Sequence, residues 1–260
     1  MVLYPLSSPP GSATLGEPTS AQPLSAWSAI EDAQRRSATE WWLIGQPDHA
    51  ALAGDLACRI QSAYFPRLDA EVVQAIGLHD EGWAEFDDGC PKTRNGHPAS
   101  FLEISPSDFL RAWRSSIHRA QQVAPIGGVL VSEHFCRLGR NALSRGASPD
   151  SEALIQEFLE DEQERQQLLI AAQNRDSEEI RLLVDVLQFC DLLSLYLCCG
   201  SREWVVFPQE FHGQTISMRY QHGLARTQPS IFGDGGASLA VQARKYPADF
   251  VAETIPILLG

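Results

Sequence analysis

Leu187-Gln188-Phe189-Cys190-Asp191-Leu192-Leu193-Ser194-Leu195 is the stretch whose reading decides the fold. From Leu182 to Leu197 the chain is apolar on nearly every helical face, and such a helix belongs at the centre of a bundle rather than on its surface. The Asp191 carboxylate is therefore expected to be buried. A buried carboxylate without a partner is costly, so Asp191 must face an arginine of a neighbouring helix or a metal ion. Asp185, six residues earlier, turns to a different face and reads as a structural or surface carboxylate.

Other helices aim polar groups at the same interior. His49 falls on the stripe of Leu52, Ala53, Leu56 and Ile60, in a helix expected to start at an Asp48 N-cap and run through Ile60. The next helix, capped by Asp69, has Val72, Val73 and Ile76 as its inward stripe, and helical steps from Val72 reach His79 and Asp80. His134 continues the apolar face of Ile126, Leu130, Val131 and Leu138. His118 shares its face with Arg111, Arg114 and Gln121, with Leu110 and Ile117 close by, which leaves it open between a ligand and a solvated residue.

The convergence of imidazoles and carboxylates from separate helices is explained more simply by one shared cation than by several independent ion pairs. His49, His79, Asp80, His118, His134 and Asp191 form the candidate ligand set, enough for one or two divalent ions. Imidazole and carboxylate together suit Fe, Mn, Co, Ni or Zn, and no inward thiolates stand at the spacing of a structural zinc knot. Asp80 and Glu81 are the candidate catalytic carboxylates, with Asp87 and Asp88 as further acidic groups beyond them.

Around this core the chain divides into three. Residues 1–36 open with a Pro-, Ser-, Gly- and Ala-rich segment without periodicity and are read as a flexible arm. Residues 37–200 form the helical metal-binding core, entered by a short strand at Trp41. A Gly- and Pro-rich loop between Gly82 and Phe101 forms a wall of the site, and further helices follow to Cys199. Residues 201–260 alternate in short runs, Thr215–Tyr220 and Ser238–Ala243, and read as a β-rich extension packed on the same domain. The fold expected is mainly α, a helical bundle with a small C-terminal β hairpin or sheet.

The net charge of −13 argues against a nucleic-acid or anionic-membrane surface, since both need a basic footprint. No stretch approaches the length of apolar chain that spans a bilayer, and the start lacks a secretory pattern, so a cytoplasmic protein is expected. The six cysteines form no CxxC pair and read as reduced core residues. The partner implied is a small, anionic molecule.

The order of these residues resembles the HD superfamily: a histidine on one helix, a His-Asp pair on the next and a distant aspartate on a late central helix, matched here by His49, His79-Asp80 and Asp191. The strings Gln46-Pro47-Asp48-His49 and His79-Asp80-Glu81-Gly82-Trp83 are also similar to a bacterial family of HD-like proteins, over roughly residues 38 to 255. The resemblance implies an HD-like bundle and metal-dependent hydrolysis of a small phosphorylated substrate. It leaves open an HD-type diiron oxygenase, for which His118 and His134 would complete the ligand set, and a non-catalytic metal-binding protein. Many catalytic members follow the pair with glycine and lysine, whereas Gly82 is followed here by Trp83. Lys92 and Arg94 are then the candidate cations for a substrate anion, with Trp83 as a pocket wall.

Overall fold

The computed structural model describes residues 1–6, 22–93, 96–171, 175–233, 236–247 and 252–260. Along the chain run β1 (Val2–Pro5), β2 (Leu24–Ser25), α1 (Ala26–Gln34), β3 (Trp41–Ile44), α2 (Gln46–Arg59), α3 (Ala70–Gly77) and α4 (Ala84–Asp88). Then come α5 (Pro106–Val123), α6 (Pro125–Ser144), α7 (Pro149–Ala171), α8 (Ser177–Cys198), β4 (Val205–Phe211), β5 (Gln214–Gln221), β6 (Leu224–Gln228), β7 (Ala237–Tyr246) and β8 (Ala252–Leu259).

Local chemistry sets the helix ends. Asp69 and Asp176 accept backbone N–H groups at the starts of α3 and α8, and Ser105 does the same for α5. Pro106 and Pro125 sit in first turns, where a missing N–H leaves no bond unmade. Two boundaries differ from expectation. The residue capping α2 is Gly45, and Asp48 lies in the first turn, where its charge opposes the helix dipole. Helix α3 stops at Gly77, so His79 and Asp80 sit just beyond its end, in a turn that leads into a short 3-10 segment, Glu81–Trp83.

The expected mainly α bundle with a small C-terminal hairpin is not what forms. Eight strands make one mixed sheet shaped as a half-barrel, with 53% of the chain helical and 21% in strands. The order is β1-β3-β7-β8-β6-β5-β4-β2, antiparallel throughout except for the β6–β8 and β2–β4 pairs. The sheet is larger than a tail because it gathers strands from both ends of the chain. Residues 2–5 and 41–44 extend it on one edge through β7, and Leu24–Ser25 closes the other. The region expected to be a flexible arm, 1–36, thus contains β1 and α1, while residues 7–21 of it lie outside the described residues.

The alternation of β7 and β8 turns Leu239, Val241 and Ala243, and Ile255, Ile257 and Leu259, to the buried face. Phe189 of α8 meets that layer through Phe207 and Phe211, with ring centroids 5.0 and 5.6 Å away, and Phe65 stacks on Phe211 at 4.0 Å. Helix α8 is central, as its composition requires: it packs on α1, α2, α3, α6 and β4. Helix α7 packs outside, on α5 and α6. All six cysteines are free, four of them buried, while Cys58 is exposed. Among the described residues no helix is long and apolar enough to cross a membrane.

Candidate metal centre

Close packing of glycines brings the histidine-bearing segments together. A Cβ on Gly54 of α2 would lie 2.9 Å from the Gly77 Cα of α3, so these helices touch backbone to backbone just before the turn carrying His79. Gly82 is tighter still: a Cβ there would fall 2.2 Å from the Ala112 carbonyl of α5, and its own N–H donates to Ser116 Oγ at 2.9 Å. These contacts hold the His79–Trp83 turn between α2 and α5.

His49, His79 and His134 are fully buried or nearly so, and Asp80 and Asp191 expose less than a tenth of their surface. The hydrogen-bond network fixes the two key tautomers. His79 Nδ1 lies 2.7 Å from the Ile76 carbonyl, which only accepts, so Nδ1 carries the proton. Ser194 Oγ gives its single proton to the Asp191 backbone carbonyl at 2.8 Å, and it must therefore accept from His49 Nδ1 at 3.0 Å. In their neutral forms both imidazoles are then left with a lone pair on Nε2.

Those lone pairs point at carboxylates. His49 Nε2 is 3.0 Å from Asp80 Oδ2, and His79 Nε2 is 3.2 Å from Asp191 Oδ1 and 3.8 Å from Asp80 Oδ2. Acceptor facing acceptor at such distances requires either an extra proton on each imidazole or a cation among them. Two ligands about 2.1 Å from one ion stand about 3.0–3.4 Å apart, which is the spacing found between the paired atoms here. Ligand atoms of His49, His79 and Asp191 all lie within 4.8 Å of one another. His134 Nε2 joins them at 3.8 Å from Asp191 Oδ2, and its buried Nδ1 has no partner. The residues fit a divalent ion held by imidazole and carboxylate.

Without an ion, the electrostatics put a proton on His79 in its place. Burial opposes the charged form of His79, but the adjacent Asp80 and the hydrogen-bonded Asp191 outweigh it and push the pKa up to about 9. Burial alone would raise Asp191, yet the His79 hydrogen bond and charge hold it at about 2. Burial pushes His134 down to about 4 against the pull of Asp191, so it is neutral at physiological pH.

The remaining expected site residues fall in different places. Trp83 is buried and its indole N–H donates to Asp80 Oδ1 at 3.1 Å, so it positions the carboxylate and also lines the cavity above it. His118 is exposed on α5 and does not join the cluster. Its neighbours Arg111 and Arg114 mark that face as solvated. Glu81 is paired with Arg119 at 3.2 Å and does not line the cavity. Asp87 is buried but engaged by the Met1 amino group and the Gln46 N–H, and Asp88 is exposed. Lys92 is exposed, 5.9 Å from the centroid of the Tyr246 ring and away from the cavity lining. Arg94 lies outside the described residues.

Sequence reasoning missed Ser194 and Gln46. Ser194 is the only hydroxyl between Leu187 and Leu195, one turn beyond Asp191, and that isolation is the signal that finds it. Gln46 stands one helical turn before His49, is buried, and has an amide oxygen without a partner.

A family model described as Protein of unknown function (DUF3891) matches residues 34–248, most of the chain. No curated protein and no solved structure matches it.

Proposed function

We propose that this chain, which belongs to the DUF3891 family of proteins of unknown function, is a metal-dependent hydrolase of a small phosphorylated substrate, related to the HD superfamily. The observation that carries the metal is the pair of imidazole lone pairs turned on carboxylates at 3.0 and 3.2 Å in a buried site. The order His49, His79-Asp80, Asp191, shared with HD proteins, directs the reading to phosphate-ester hydrolysis.

His49, His79, Asp80 and Asp191 would hold the ion, with His134 beside them; Fe, Mn, Co, Ni and Zn all suit this donor set. When bound, such an ion supplies an acidic water and a Lewis acid for the phosphoryl oxygens. In the net reaction a water oxygen bonds to phosphorus, the P–O bond to the leaving group breaks, and the alcohol departs with a proton. The protein's part is positional. Trp83 fixes Oδ1 of Asp80, Ser194 and Ile76 fix the histidine tautomers, and aromatic side chains wall the cavity above.

The dinuclear oxygenase reading needs six ligands, and the exposed His118 leaves the described residues with five. The hydrolase reading is therefore preferred. Its test is metal analysis of protein purified without chelators, followed by phosphate release from nucleotide and sugar-phosphate panels with Mn, Fe, Co and Ni. Stoichiometric metal and metal-dependent release are expected. A chain that takes up no divalent ion would overturn the metal centre, and a loaded chain that releases no phosphate would overturn the reaction.

A further inference from the structure

A cavity of about 1110 Å³ opens over the metal centre and has Asp80, His134 and Asp191 in its lining. Helix α8 contributes Asp185, Gln188, Asp191, Leu192 and Leu195 to that lining, in helical steps that share one face. Gln188 therefore stands one turn before Asp191, about 4.5 Å along the helix axis, in the same wall. Its side chain is half-buried, and an amide so placed reaches a molecule held on the ion.

The orientation of that amide is fixed from behind. Arg137 of α6, which is not part of the lining, donates through Nη1 to Gln188 Oε1 at 3.1 Å and to Asp185 Oδ1 at 2.5 Å. Through Nε it donates to Glu133 Oε1 at 3.2 Å. A guanidinium has donors only, so the end of the amide that meets it is the oxygen, and the Nε2 end faces away. Arg137 is itself paired with Glu133 and Asp185, so its charge is committed to the clamp.

Nε2 is the group this clamp leaves over. Among the described residues it has no hydrogen-bond partner, and it is not sealed from solvent. Gln188 thus has its acceptor used by the protein and both amide N–H groups free, one helical turn from a candidate metal ligand.

We propose that Gln188 contacts the substrate: its Nε2 donates to an anionic oxygen of the molecule held on the ion, and Arg137 is the positioning residue that aims it. The inference rests on the hydrolase reading, in which the acceptor is a phosphoryl oxygen that the ion does not take. Negative charge on such oxygens is what a preset donor stabilises, and a donor anchored in advance needs no reordering when the ligand arrives.

Inorganic phosphate and fluoride separate this contact from the ion's own, since fluoride meets the ion alone while phosphate offers further oxygens. Both are titrated into the cobalt-loaded protein and followed by its visible absorption, with cobalt content measured for each variant. Gln188→Met, similar in size but without donors, should weaken phosphate about tenfold or more, the scale of one hydrogen bond to a charged group. Fluoride affinity and cobalt content should stay as they are. Gln188→Glu, which keeps an acceptor for Arg137, should weaken phosphate further through charge repulsion. Arg137→Lys, which keeps the charge and loses the three-way anchor, should weaken phosphate several-fold with the same selectivity. Unchanged phosphate affinity in both Gln188 variants, or a loss shared equally by fluoride, would overturn the contact and leave the metal centre standing. Loss of cobalt in both would make Gln188 structural and overturn it too. A cobalt-loaded wild-type chain that binds no phosphate would overturn it together with the hydrolase reading.

Discussion

Asp185 and Asp191 stand on the same helix, are both largely buried, and meet opposite kinds of partner. Asp185 is satisfied by the guanidinium groups of Arg137 and Arg181, which bring their own permanent charge. Asp191 meets only imidazoles, and the nearest one ties its Nδ1 proton to the Ile76 carbonyl. An arginine closes an ion pair, whereas an imidazole whose N–H is tied to a carbonyl leaves a lone pair that asks for a cation. The difference between these two carboxylates separates a structural bridge from a candidate metal site.

The comparison breaks most directly by substitution. Asp191→Ala should abolish stoichiometric metal uptake, read by elemental analysis, while Asp185→Ala should leave metal content unchanged and cost about 1–3 kcal/mol of stability in a denaturant titration. If Asp191→Ala keeps its metal, both carboxylates are structural. Ser194→Ala sharpens the point, because it touches neither carboxylate side chain nor Nε2. By removing the acceptor that fixes the His49 tautomer, it should weaken metal affinity about 10–100-fold in a chelator competition. Trp83→Phe, which removes the donor to Asp80 but keeps the aromatic wall, should act in the same direction by about tenfold.

The smallest effect is on pH. In the metal-free protein the raised pKa of His79 contributes in full below its ordinary value of 6.5, and that contribution is lost as pH rises through about 9. Asp191 contributes in full above its ordinary 3.8 and loses that contribution as pH falls through about 2. The melting temperature without metal should therefore decline between pH 6.5 and 9, by a few degrees. Binding of Mn or Zn at neutral pH must displace the His79 proton, so calorimetry in buffers of different ionisation enthalpy should detect proton release, and affinity should rise with pH in that window.

The inward helix faces were legible from sequence. Period and composition put His49, His134 and Asp191 in the interior and α8 at the centre, since burial of an apolar helix leaves few other places for it. His118 was not resolved by the same logic, because its face mixes arginines with apolar neighbours and solvent took it. The sheet was underestimated for a different reason. Strands of two to four residues, such as β1 and β2, carry too little alternation to register, and the strand expected at Trp41 finds its partner β7 about 200 positions away. Two hairpin turns carry a His-Gly pair as their sequence signal. His212-Gly213 and His222-Gly223 hold consecutive positive φ angles of 49° and 71°, and of 52° and 79°, which is the backbone of a tight two-residue turn.

Arg244 of β7 donates to the Asp87 backbone carbonyl at 2.8 Å, Asp87 in turn receives the Gln46 N–H, and Gln46 opens the helical turn that ends at His49. With β3, which leads straight into α2, also paired to β7, a strand about 200 residues further along works as the seat of His49. During synthesis the helices can be made long before that seat exists. Seating of His49 must then wait for β7 to dock, and a chain cut short before β7 would fold its helices with nothing to brace that turn.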